Sequence, residues 1–270
     1  METQSLYHTT WLPAASLCWR ELIRFYRYPS RVVGALGTPL IFWLLIGSGI
    51  GTSFQSQGAP NSMTYLEYFF PGTLMLILLF TSIFCMISVI EDRHEGFLLS
   101  VLVAPISRRA LVLGKILGGS AVALLQGILF VLLAPTVGIS LHAGNIPLLV
   151  GVLLLVAIVL TGLGFMFAWL LDSVQGFHAV ANLFLIPLWL LSGALFPSAG
   201  ASPWVRWLMK LNPLTYATDA LRQSLYLGSS SGGADVSSLA LSLTVTAGFA
   251  VVVVLAAFAV ANRPLRGNLG

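Results

Sequence analysis

The chain has 270 residues, of which 57% are hydrophobic and only 8% charged. A soluble domain carries roughly 45–50% apolar and about 25% charged residues, so this composition excludes a water-facing globule. A formal charge of +4 without a long basic tract gives no nucleic-acid footprint, and Cys18 and Cys85 are too few for a disulfide framework or metal cluster. The sequence reads as an all-α integral membrane protein.

Uncharged intervals count the crossings. Residues 32–66, 68–90, 116–171, 173–205 and 236–262 hold 35, 23, 56, 33 and 27 positions without Asp, Glu, Lys or Arg. A membrane helix needs about 20 apolar residues, so the longest interval holds two spans and the others one each. That interval breaks in the polar stretch from Gly138 through His142 and Asn145 to Pro147. Six transmembrane helices are expected near 32–51, 69–90, 111–135, 147–171, 176–197 and 238–261. They form a membrane domain over 32–262 between cytoplasmic tails at 1–31 and 263–270. The runs are continuous rather than alternating, which argues against a β-barrel. The first 31 residues lack the apolar core of a signal peptide.

In chain order, the first distinctive piece is residues 11–28. Arg20, Arg24, Arg27 and Arg31 recur every three or four residues and share one helical face, with Cys18, Leu22 and Phe25 opposite. This pattern predicts an interfacial amphipathic helix that aims its arginines at anionic headgroups or a partner. Simple positive-inside anchoring is the plainer alternative.

After span 2, Glu91, Asp92, Arg93, His94 and Glu95 crowd four charges and a histidine ahead of Gly96. Phe97 to Ala104 follow, including Leu98 and Leu102, and Pro105 stops any helix before Ser107 and Arg108. An apolar helix this short does not cross a bilayer. The segment is expected to dock a cytoplasmic partner rather than to be a solvated helix end or a proton relay.

Past span 5, which Phe196-Pro197 should end, Trp204, Arg206, Trp207 and Lys210 suit a headgroup zone. Asn212 then reads as an N-cap with Pro213 at the first helical position. That helix carries Leu214, Tyr216, Asp219, Arg222 and Tyr226, with Asp219 and Arg222 spaced to pair. Short re-entrant helices between spans 5 and 6 are the expectation. Ser229 to Gly233 form a flexible connection. Ten of the 13 Lys and Arg fall inside if both termini are cytoplasmic, which favours N-in, C-in.

Catalytic signatures are missing. His8, His94, His142 and His178 are scattered without zinc spacing, and no G-x-S-x-G elbow occurs. Gly114-Lys115 ends like a phosphate loop, but Ile116 replaces Ser or Thr and Arg109 the leading glycine. No catalytic residue, metal site or ATP site is therefore expected on this chain. Gly47 with Gly51, and Gly114 with Gly118, have the spacing of close helix contacts. Asn182 and Pro187 mark either a gating kink or a polar contact with cargo, or else a tolerated kink and a helix–helix hydrogen bond.

Three blocks resemble the type-2 family of ABC exporter permeases, the drug-resistance and lipo-oligosaccharide export subunits. They are Phe70-Pro71-Gly72 with Glu91-Asp92-Arg93 and the run from Leu98 to Arg108; Leu191 to Pro197; and Asn212-Pro213-Leu214-Thr215-Tyr216 with Asp219 to Arg222. The chain departs from the family where Phe97-Leu98-Leu99 replaces the usual Thr-Leu-Glu after Gly96. The resemblance implies a permease subunit of the bacterial inner membrane. A homodimer, or a pair with a related permease, would enclose the path, with spans 2 and 5 beside the cargo route. ATP and Mg would sit on separate ABC ATPase subunits, coupled through residues 91–107 and the N-terminal helix. A lipophilic drug, lipid or glycolipid would be the cargo. An ion-coupled carrier or a lipid-linked transferase is the rival. The first lacks intramembrane acids between Lys115 and Asp172 and between Asp235 and Arg263, and the second lacks converging catalytic groups.

Overall fold

The computed structural model describes residues 2–51, 63–98, 100, 107–227 and 237–262, with the backbone alone over 2–10. Among the described residues the regular structure is entirely helical. Helix α1 (Glu2–Arg27) passes through Tyr28 into α2 (Pro29–Ile50). Pro29 opens α2 at the position where a missing N–H costs nothing. There follow α3 (Tyr65–His94), α4 (Arg108–Val131), α5 (Ile146–Leu170) and α6 (Val174–Trp189). The last helices are α7 (Pro203–Leu211), α8 (Pro213–Tyr226) and α9 (Leu239–Ala261). Among the described residues six helical segments are long and apolar enough to cross a membrane: α2 to α5, α6 together with the turn that follows it to Ala194, and α9.

Helix α3 is the axis of the bundle. Every side chain from Tyr68 to Leu79 is buried, and α2, α4 and α5 pack around it. Phe70 of α3 stacks on Phe130 of α4 with centroids 4.4 Å apart, and Trp43 of α2 meets both rings edge-on. The Trp43 indole donates to the Leu66 carbonyl at 2.9 Å, so its one polar atom is satisfied.

Small residues set the closest approaches. A Cβ on Gly114 would lie 2.6 Å from Leu17 Cβ and 2.9 Å from the Ala14 carbonyl oxygen, and one on Gly118 2.8 Å from Glu21 Cβ. The Gly114–Gly118 pair therefore seats α1 against α4. Gly47 does the same for Leu66, whereas Gly51 takes a positive φ of 44° and ends α2.

Several helix ends differ from the sequence expectation. Helix α1 starts at Glu2 and carries Pro13 internally, rather than spanning 11–28 alone. Helix α3 is 30 residues long, about 45 Å, against a hydrocarbon core of about 30 Å. Glu91, Asp92, Arg93 and His94 are consequently its last turn and not a loop. Helix α4 stops at Val131, before Pro135 and a turn closed by Gly138 at φ 88°. Helix α6 ends before Phe196: a wide turn over Leu190–Ala194 contains Gly193 at φ 77°. Pro187 lacks the N–H that would bond one turn back, which weakens the ladder just ahead of that break.

Hydrogen bonds sort the helix ends into two poles. One pole gathers α1, the end of α3, the starts of α4 and α6, and the ends of α5 and α9. The other holds the start of α3, the broken end of α6, and α8.

Gly114→Ala should destabilise the protein by about 1–3 kcal/mol, the usual cost of overpacking against backbone. Gly151→Ala, with nothing within 4 Å of its added Cβ, should be neutral or slightly stabilising. Thermal unfolding of the purified variants in detergent checks this, and equal midpoints for the two would refute the close α1–α4 seat.

Candidate functional site

The first pole is held by buried ions. Arg20 donates to both oxygens of Asp92, at 3.1 and 2.6 Å. Arg24 donates to Asp92 Oδ1 at 2.5 Å and to Glu91 Oε2 at 3.0 Å. Arg31, in the first turns of α2, takes the other Glu91 oxygen. From α4, Lys115 Nζ donates to Glu21 Oε1 at 2.6 Å, to Ser88 Oγ at 3.0 Å and to Asp92 Oδ2. Ser88 Oγ in turn donates to Glu21 Oε2 at 2.6 Å. Glu21, Asp92 and Lys115 are 3%, 0% and 1% exposed. Charges this deep persist only when paired and hydrogen-bonded, which is why three helices converge here.

The sequence reading sends the arginine stripe outward and leaves the acids for a partner. Three of the four arginines instead turn inward onto the carboxylates of α3, Arg20 and Arg24 onto Asp92 and Arg24 and Arg31 onto Glu91. Burial opposes the Arg24 charge, but Asp92, Glu91 and Glu21 outweigh it and hold the guanidinium above its ordinary pKa. Beside this cluster, burial and then the Glu21 carboxylate push the Cys18 thiol up.

The next residues reach other helices. Arg93 donates to the carbonyls of Ala168, Trp169 and Leu171 and to Asp172 Oδ1, at 2.7–3.3 Å. Those carbonyls end α5 and have no partner within their own helix, and a cation there also suits the helix dipole. His94 Nε2 lies 2.8 Å from the Asp172 carbonyl oxygen. Ser107 caps α4 by accepting from the Ala110 N–H, and Arg108 donates to the Ala261 carbonyl at the end of α9, at 3.0 Å. Both ends of the 91–107 segment are thus tied into the bundle.

Within that segment, Gly96 adopts φ 74°, a conformation that favours glycine. Arg20 stacks 3.7 Å over the Phe97 ring. Leu98 is 1% exposed in the chain's own core, so it does not offer the exposed contact that the sequence reading gives it. Glu95 is exposed, 3.6 Å from Arg24. Leu102 and Pro105 lie outside the described residues.

At the opposite pole, Asn212 caps α8 by accepting from the Leu214 N–H and donates to the Leu188 carbonyl, joining α8 to the end of α6. Arg222 donates to the Gly193 carbonyl at 2.9 Å and lies 4.5 Å over the Tyr68 ring, with Asp219 4.0 Å away. Tyr68 donates to the same Gly193 carbonyl, and Tyr216 donates to the Lys210 carbonyl. Leu214 is buried. Arg206 caps the preceding turn through the carbonyls of Ser198, Ala199 and Ala201. The signature residues at 212–222 therefore clamp the break in α6.

Residues 14–226 match the model of the ABC-2 type transporter family. The chain belongs to that family. Among its relatives, ycf38 of Cyanophora paradoxa, named as a transport permease, is 30% identical over 75% of this chain and 70% of its own length. The inner membrane transport permease YadH of Escherichia coli K12 is 25% identical over 80% and 84%. The daunorubicin resistance ABC transporter permease DrrB1 of Streptomyces coeruleorubidus is 22% identical over 87% and 80%. This chain is a multi-pass membrane subunit of an ABC transporter. Glu21, Ser88 and Lys115 escape the sequence reading of the site. Glu21 leaves a hint, falling on the Leu17–Phe25 face of α1 as a charge among buried residues.

Lys115→Met should destabilise the protein by about 3–5 kcal/mol, since among the described residues it leaves Glu21 only the Ser88 hydroxyl. Adding Glu21→Gln should recover much of that loss, because Asp92 keeps Arg20 and Arg24. Denaturant or thermal unfolding of the single and double variants reads this directly.

Proposed function

We propose that this chain is the permease half of an ATP-driven exporter in a bacterial inner membrane. A second copy or a related permease completes the path, and separate ATPase subunits bind ATP and Mg on the cytoplasmic side. The first pole is the cytoplasmic one in this reading, with both termini inside and α7 and α8 as outer, re-entrant elements. An apolar interior suits a lipophilic drug, lipid or glycolipid, and the relative DrrB1 is named for daunorubicin resistance.

The observation that carries the proposal is the bonding of the last turn of α3. A load applied to 91–107 by closing ATPase subunits passes through Asp92 and Glu91 to α1, through Asp92 to Lys115 on α4, and through Arg93 to the α5–α6 junction. ATP does work on the cargo path only if it favours one arrangement of these helices over another. Docking falls to exposed positions such as Glu95, since Leu98 is buried within the chain.

Coexpression with the ATPase subunits tests this. Arg93→Ala should retain the subunits through purification yet lower cargo-stimulated hydrolysis at least about tenfold, a loss near 1.4 kcal/mol of coupling. Glu95→Arg should reduce the recovered subunits instead. Unchanged stimulation in Arg93→Ala, or hydrolysis by the permease alone, would overturn the reading.

A further inference from the structure

One groove at the first pole is not accounted for by coupling. It has a volume of about 410 Å³, and its lining includes Trp19, Arg20, Ile23, Arg24, Arg27 and Glu95. Arg20 and Arg24 spend their guanidinium groups largely on Asp92 and Glu91. Arg27 is exposed and makes no ion pair or hydrogen bond among the described residues. Across the whole cluster, five cations (Arg20, Arg24, Arg27, Arg31, Lys115) meet four carboxylates (Glu21, Glu91, Asp92, Glu95), leaving one positive charge.

Connectivity fixes the depth of that charge. Arg27 ends α1 two residues before Pro29 begins α2, whose 22 residues extend about 33 Å, close to the thickness of a hydrocarbon core. Arg27 therefore lies at headgroup level. Trp19, Ile23 and Tyr26 are 42–65% exposed on the side of α1 opposite the residues that meet α4, as a helix resting in the interface requires.

We propose that this groove binds the phosphodiester headgroup of an anionic phospholipid, with Arg27 as the cation and Trp19 packed along the glycerol and upper acyl chain. The monoanion neutralises the one unmatched charge and ties α1 to the leaflet. The proposal rests on the membrane-permease reading but needs no ATPase partner.

The test uses the full-length permease alone, in nanodiscs containing brominated phosphatidylglycerol or brominated phosphatidylcholine. The fluorescence difference between wild type and Trp19→Phe isolates the Trp19 signal. Quenching of that signal should be at least twofold stronger with phosphatidylglycerol. Arg27→Gln should abolish the preference, Arg27→Lys should keep it, and inorganic phosphate at constant ionic strength should leave it unchanged. Equal quenching by the two lipids overturns the site. Displacement by inorganic phosphate reassigns it to a free anion. Unchanged lipid preference in Arg27→Gln, with loss of ATPase subunits on copurification, gives the groove to the protein partner. None of these failures touches the Arg93 coupling result, which is measured separately.

Discussion

Lys115, Asp92 and Glu21 lie where water does not reach, and each is supplied by a different helix. A buried charge left alone costs several kcal/mol, so these helices are free to move only as far as the pairing survives. The glycines at 114 and 118 are part of the same constraint. With side chains at these two positions α1 could not approach α4 closely enough for Glu21 to reach Lys115. Electrostatics and packing thus specify one placement of α1 between them.

The residues immediately after Asp92 extend this placement to the rest of the pole. Arg93 fills the open carbonyls at the end of α5, and Arg108 does so for α9. Cations near helix C-termini are common as local caps. Here the caps belong to other helices, so a cap doubles as a tie between elements. The far pole uses the same device with a different geometry: Arg222 and Tyr68 converge on the Gly193 carbonyl, which the broken ladder of α6 leaves open. A bend that would be costly in lipid is tolerated because protein donors replace the lost bonds.

Six membrane helices were legible from the spacing of charges, since the hydrocarbon core imposes a length that sequence records directly. The cap at Asn212-Pro213 was legible too, because capping is local. Helix ends were less so. The charge run at 91–94 looks like loop, but it continues α3, with Glu91 and Asp92 bonded to α1, α2 and α4 and Arg93 and His94 to the α5–α6 junction. The arginine stripe was visible by its period, yet period alone does not say whether a cation faces water, lipid or a carboxylate sixty or more positions away. Lys115 was visible as a charge near a span end, but its two carboxylates come from α1 and α3, and no short-range pattern links them.

The central claim is that α1 and the start of α4 move as one body with the end of α3. Spin labels at Ser16→Cys and Arg109→Cys, both exposed, in a background lacking Cys18 and Cys85, measure it by double electron–electron resonance in the assembled transporter. The account predicts the same Ser16–Arg109 distance without nucleotide and with ATP trapped. A shift of the Ser16–Arg109 distance by about one helical turn, roughly 5 Å, between those states would contradict it.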